Sequence, residues 1–246
     1  MKAILTYHSI DASGSVISVD RETLREHAAW LAGAGLRAVG LEQLLALPAD
    51  VSGVAITFDD AFVNFATEAW PVLREFGHAV TLFVPTGHVG GTNAWEANGR
   101  HGAPVLPLLD WAALGRLASD GVTLGSHGVA HARLTDVSEG VLHEEVDASA
   151  ELMRRETDVG PASFAYPYGL VNERVVAAVR RRYRVAVTTE YRTVDGRVDA
   201  HRLPRLDAFY LRRPGRIAQW GTAGFLRRVA LRRRMRRIRR FLTNGV

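Results

Sequence analysis

The sequence holds no cysteine, which excludes disulfides, thiolate nucleophiles and sulfur-ligated metals and leaves the redox compartment open. Long apolar runs are missing as well. No stretch approaches the ~20 residues of a membrane-spanning helix, and the apolar segment at residues 3–7 reaches the polar His8-Ser9 too soon for a signal peptide. These absences predict a chain that stays in the cytoplasm. Neither an internal repeat nor a Pro/Gly/Ser-rich linker divides the sequence. Acid is absent from one stretch: between Leu226 and Leu242 there are nine arginines and no Asp or Glu, and without those nine the formal net charge of +5 becomes −4.

With 246 residues, 47% of them hydrophobic, the chain can bury one large core. Short apolar runs at 3–7, 54–58, 80–84, 122–124, 163–166 and 185–188, with another near 37–39, carry the continuous pattern of buried parallel strands. Helical periodicity falls between them, at 20–33 behind an Asp20 cap, 41–46, 64–76 despite Pro71, 111–118 behind Asp110, 138–157 and 172–183. Strands alternating with helices predict an α/β barrel. In such a barrel the loops at the carboxyl ends of the strands build the site. His8, Asp59, Asp60, His127 and Tyr168 all fall at such ends.

Two aspartates close a strand in Ile56-Thr57-Phe58-Asp59-Asp60, and two histidines follow in Gly125-Ser126-His127-Gly128-Val129-Ala130-His131. At helical spacing, residues four apart share a face, so His127 and His131 can reach one cation. Two imidazoles and one carboxylate, with a position left to water, form the ligand set of a hydrolytic divalent metal, zinc before others. The second aspartate then remains as a proton acceptor. Each motif alone has an ordinary reading, a chance pair on a helix or a helix cap.

A third piece, Phe164-Ala165-Tyr166-Pro167-Tyr168-Gly169, completes a resemblance to the polysaccharide deacetylases of NodB-homology type, carbohydrate esterase family 4, over residues 1 to about 210. The resemblance implies a distorted (β/α)7-type barrel of the glycoside hydrolase/deacetylase kind and removal of N-acetyl groups from an amino sugar or N-acetylated glycan, releasing acetate. It implies Asp60, His127 and His131 as metal ligands, Asp59 as general base, and the main-chain N–H of Tyr168, behind Pro167, as oxyanion donor. One divalent ion is the implied cofactor: zinc first, with nickel, cobalt or iron able to occupy the same ligands.

The chain departs from the broad family in two places. The late Leu-x-His segment that supplies the acid is absent, as is the Asp-x-x-Asp-Trp segment that orients it, and Ala165 stands where most members carry an arginine that pairs with the base. Leu5-Thr6-Tyr7-His8-Ser9 resembles the opening of the poly-N-acetylglucosamine deacetylase branch, which implies His8 as the acid, with His201 as the fallback. Arg205, in Leu203-Pro204-Arg205, would restore the missing charge; its ordinary reading is a surface arginine. Competing expectations are a hydrolase of another linear or cyclic amide on the same fold and a non-catalytic sugar-binding module, the second disfavoured because binding needs no base.

The expected division is a catalytic domain over 1–213 and an arginine-rich amphipathic tail over 214–246. In the tail, Leu231, Met235, Ile238 and Leu242 fall on one helical stripe among arginines. Such a helix suits the inner face of an anionic membrane, or docks its stripe on the domain. A nucleic-acid partner is disfavoured because aromatics are not interleaved. The expected substrate is an N-acetylated sugar or glycan, free or lipid-linked. The Gly-rich insertion at 86–109, with Asn93, Trp95 and Glu96, is long enough to roof a sugar groove or to be a plain connector.

Overall fold

The computed structural model describes residues 1–96, 103–194, 196 and 198–243, with backbone alone at 96 and 239–243. In chain order the elements are β1 (Lys2–Tyr7), β2 (Ser9–Ile10), β3 (Ser18–Val19), α1 (Arg21–Gly33), α2 (Leu41–Ala46), β4 (Gly53–Phe58), α3 (Trp70–Glu75), β5 (Val80–Val84), α4 (Trp111–Ser119), β6 (Thr123–Ser126), α5 (Glu139–His143), α6 (Ser149–Thr157), β7 (Ser163–Ala165), α7 (Glu173–Arg180), β8 (Val185–Val187), β9 (Leu206–Asp207) and α8 (Ala223–Thr243). Seven strands form one sheet in the order β8-β7-β6-β5-β4-β1-β9, with every pairing parallel. The sheet curls until both edges meet one segment: Leu203 bridges Val187 of β8, and Leu206 pairs with Leu5 of β1. This is the expected barrel.

Parallel strands covered on both faces need no polar alternation, which is why these runs read as continuously apolar. Ala3, Leu5 and Tyr7 of β1 join the core beneath α1, α3 and α4, while Ile4 on the opposite face meets Ala55, Phe83, Ala165, Val187 and Leu203. Asp20 caps α1 by accepting the Thr23 N–H at 2.8 Å.

Several local expectations differ. Residues 37–39 make no strand; Val39 N–H bonds Val54 O, Ala38 O accepts from Ala79, and the Ala38 N–H goes to the His78 ring at 3.0 Å. The segment thus spends its backbone groups on three neighbours and builds no ladder. The 64–76 helix opens with a π turn, Phe65–Ala69, where Trp70 N–H reaches back to Phe65 O. That delivers Pro71, which has no N–H, into the first turn of α3, where none is required. A second π turn, Glu144–Ala148, interrupts the 138–157 helix between α5 and α6. β2, β3 and β9, two residues each, were not anticipated.

Beyond β9, Ile217, Trp220, Phe225 and Val229 are buried in the main core. Leu231, Met235 and Ile238 are exposed, so the stripe read from the sequence is not the docking face of α8; the Leu242 side chain lies outside the described residues. Among the described residues no helix is long and apolar enough to cross a membrane.

Candidate active site

Strand register brings the site together. Tyr7 of β1 lies opposite Phe58 of β4, so the next residues, His8 and Asp59, emerge side by side, with Asp59 N–H bonded to Tyr7 O at 3.0 Å. Val84 of β5 pairs with Ser126 of β6, which places His127 one step beyond. The Nδ1 of His127 donates to Ala165 O of β7 at 2.7 Å. That bond fixes the tautomer and leaves Nε2 for a ligand.

The histidine pair is not helical. Residues 127–131 form a loop, with Gly128 at φ 78° and His131 at φ 53°. Glu145, on the second π turn and 4% exposed, accepts the N–H groups of Val129 at 2.8 Å and Ala130 at 3.0 Å. A Cβ on Gly128 would lie 2.6 Å from that carboxylate. The imidazoles therefore converge through a tight loop pinned by a buried acid. Sequence reasoning missed Glu145; its signal is an acid in the apolar stripe with Leu142 and Val146.

His127 Nε2 and His131 Nε2 each stand 3.6 Å from Asp60 Oδ1, and the three ligand atoms lie within 4.8 Å of one another. These distances are too long for hydrogen bonds. Ligands about 2.1 Å from a tetrahedral ion sit roughly 3.4 Å apart, so the spacing fits a shared cation. Burial and the neighbouring His127 push the His131 pKa well below the ordinary histidine value, which keeps the ring in the neutral form that binds metals. The donor set fits a divalent ion.

Asp59 is different in kind. It is 3% exposed and receives both arms of Arg205, Nη1 to Oδ1 at 2.6 Å and Nη2 to Oδ2 at 2.7 Å. Arg205 is itself 1% exposed and is oriented by Nε donating to Thr188 O at 3.0 Å. It is no surface arginine. Burial alone would raise the Asp59 pKa, but the Arg205 guanidinium holds it well below the usual carboxylate range. His8 Nε2 stands 3.7 Å from Asp59 Oδ2, with its side chain 24% exposed.

Among the described residues, four of the five non-glycine positions at positive φ gather here: Asp60 (72°), Ala61 (56°), His131 (53°) and Tyr168 (60°). Such backbone costs of order 1 kcal/mol or more per residue and persists only where surroundings enforce it. Tyr168 follows the buried Pro167 in a 3-10 turn, its ring edge-on to His131 at 4.7 Å and beneath Arg133 at 4.8 Å. Gly169 is obligatory, because a Cβ there would lie 2.1 Å from Thr189 Oγ1.

One cavity of about 100 Å³ is lined by His8, Asp59, Asp60, His127, His131 and Tyr168, together with Ile17, Tyr166 and Thr189. From the insertion come Asn93, Trp95 and Ala103, the Trp95 ring lying 4.8 Å from that of His131. The Glu96 side chain and residues 97–102 lie outside the described residues. His201 does not line the cavity; its Nε2 bonds Tyr183 O at 2.9 Å.

The chain is 28% identical over 193 residues to YxkH of Bacillus subtilis (strain 168), covering 76% of this chain and 64% of that protein. It is 26% identical over 170 residues to a poly-β-1,6-N-acetyl-D-glucosamine N-deacetylase of Staphylococcus epidermidis (strain ATCC 35984 / RP62A), covering 63% of this chain and 56% of the relative. It thus spans about six-tenths of these relatives' lengths. Among solved structures, IcaB from Ammonifex degensii superposes with a TM-score of 0.73 at 21% identity over 91% of this chain and 96% of that one. The Streptococcus pyogenes deacetylase PplD, solved with acetate, gives 0.71 at 21% identity over 84% of this chain and 91% of that one. At that identity the two structures establish the fold. The family model described as polysaccharide deacetylase matches residues 47–185, more than half of the sequence, and the chain belongs to that family.

Proposed function

We propose that this chain is a metal-dependent de-N-acetylase that hydrolyses the acetamide of an N-acetylated amino sugar in a glycan, giving acetate and a free amine. The observation that carries the reading is a carboxylate locked as an anion by a buried arginine, in the same cavity as a second carboxylate and two imidazoles suited to one cation. The printed name of the Staphylococcus epidermidis relative supports the substrate class.

Asp60, His127 and His131 hold one divalent ion, zinc in first place. A divalent ion held there would supply Lewis acidity toward the acetamide carbonyl and toward water. Asp59 accepts the proton of the attacking water, and Arg205 keeps it ionised and aimed. The Tyr168 main-chain N–H, presented by the left-handed turn after Pro167, meets the developing oxyanion. His8, the partly exposed group beside Asp59, gives a proton to the departing amine nitrogen. Trp95, which lines the cavity beside His131, is the aromatic against which a pyranose can pack.

The test couples metal content to turnover. Purified protein carries one divalent ion per chain by elemental analysis; chelation abolishes deacetylation of N-acetylglucosamine oligomers reversibly, and His127→Ala loses both ion and activity. Full activity of metal-free protein overturns the metal. Turnover of cyclic amides but not of the oligomers overturns the substrate.

A further inference from the structure

The helix that carries the arginines is docked by one face and leaves another bare. Phe225 and Val229 are buried; one and two turns on, Arg232 lies 4.1 Å over Tyr210, and Arg236 approaches Tyr191 and Tyr210 at 5.9 and 5.7 Å. These residues, four, three and four apart, form the docking stripe. Leu231, Met235 and Ile238, about 100° round the helix, are 58%, 46% and 50% exposed. Exposed Arg227 and Arg234 flank them and make no ion pair among the described residues.

The surface continues beyond the helix. Between α8 and residues 209–216 runs a groove of about 430 Å³ whose walls include Phe209, Leu231 and Met235. Arg212, Arg213, Arg216, Arg228 and Arg232 line it too, with no acid. Cations around an unpacked apolar strip suit a boundary between anionic headgroups and acyl chains. A second copy of this surface would be repelled by its own charge. Nucleic acid would satisfy the arginines but leave Leu231, Met235 and Ile238 in water.

We infer that α8 and the adjoining 209–216 segment form a docking surface for an anionic phospholipid bilayer. The apolar strip enters the interface and the arginines engage lipid phosphates. The surface adjoins the catalytic rim: Arg233 pairs with Glu190 at 2.6 Å, next in sequence to Thr189 in the catalytic cavity. Docking does not rest on the deacetylase reading, because binding is measured without turnover.

The test is sedimentation of the full chain with vesicles. Phosphatidylglycerol vesicles bind it and phosphatidylcholine vesicles do not, and raising salt from about 50 to about 500 mM lowers binding tenfold or more. The variant Leu231→Ser/Met235→Ser/Ile238→Ser loses at least tenfold in partitioning with unchanged melting temperature, and Arg213→Gln/Arg227→Gln/Arg234→Gln loses as much. Equal binding to both vesicle types, or wild-type partitioning by either triple variant, overturns the inference. Binding to duplex or single-stranded nucleic acid that exceeds binding to phosphatidylglycerol vesicles, and that the serine variant retains, overturns it in favour of a nucleic-acid partner.

Discussion

Arginine does opposite work at the two ends of this molecule. Arg205 is sealed in the barrel, with both arms spent on Asp59 and its Nε on a main-chain carbonyl. On α8, Arg227 and Arg234 stand in solvent around an apolar strip. The same side chain tunes one carboxylate where water is excluded and contributes to a diffuse field where water screens it. Placement therefore decides whether an arginine is part of a reaction or part of a surface, and the magnitudes expected on mutation separate accordingly.

The largest effect belongs to Arg205→Met. Removing one partner of a buried pair strands the other, at a cost of about 3–5 kcal/mol. In wild type, the depressed folded pKa of Asp59 gives stability that is present above the unfolded value of about 4 and lost as pH falls through the lower folded value. In the variant burial is opposed only by the weaker pull of His127 and His8, so the folded pKa of Asp59 rises and the stability that its ionised form gave is lost. The gap between the two proteins in urea unfolding is consequently widest toward neutral pH and narrows as pH falls toward and below about 4. A gap independent of pH would show that Arg205 acts by packing alone.

Asp59→Asn keeps the shape and removes the charge. Turnover is expected to fall by about 10²-fold or more, in the range of general-base catalysis, with metal content unchanged. Retained activity, or lost metal, would exchange the roles of Asp59 and Asp60. His8→Ala comes next, at the lower end of the same range, since a side chain 24% exposed lets solvent replace part of its proton donation. Wild-type kinetics for His8→Ala would remove the assignment.

The barrel and the contents of its mouth were legible because strand ends announce themselves: an apolar run stopping at Asp59-Asp60, at His8 or at His127 needs no tertiary knowledge. The histidine pair was read with the wrong backbone. A spacing of four fits a helix as well as a tight loop, and the discriminating residue was Gly128, whose left-handed conformation breaks the helical path. Glu145 was passed over because its partners are main-chain N–H groups, and an acid in line with Leu142 and Val146 was the one mark it left in the sequence. The docking face of α8 stayed hidden for a related reason. Hydropathy selects Leu231, Met235 and Ile238, whereas the contacts are made by Phe225, Val229 and arginines lying on tyrosine rings, and an arginine that packs looks like one that is solvated.

The smallest effect is expected on α8, and it completes the comparison. Arg227→Gln/Arg234→Gln removes two exposed charges that have no ion-pair partner among the described residues, so the melting temperature is expected to stay within about 2 °C of wild type, as for other surface substitutions. Turnover on a short soluble substrate is unchanged, because neither residue reaches the cavity. Arg236→Gln falls between these and Arg205→Met, for its guanidinium lies near the Tyr191 and Tyr210 rings and its removal loses packing as well as charge. Thermal melting of the three variants side by side therefore yields a graded series ordered by burial. If Arg227→Gln/Arg234→Gln unfolds as readily as Arg205→Met, α8 holds the barrel together through contacts of its outer face, and exposure is not what distinguishes the two groups of arginines.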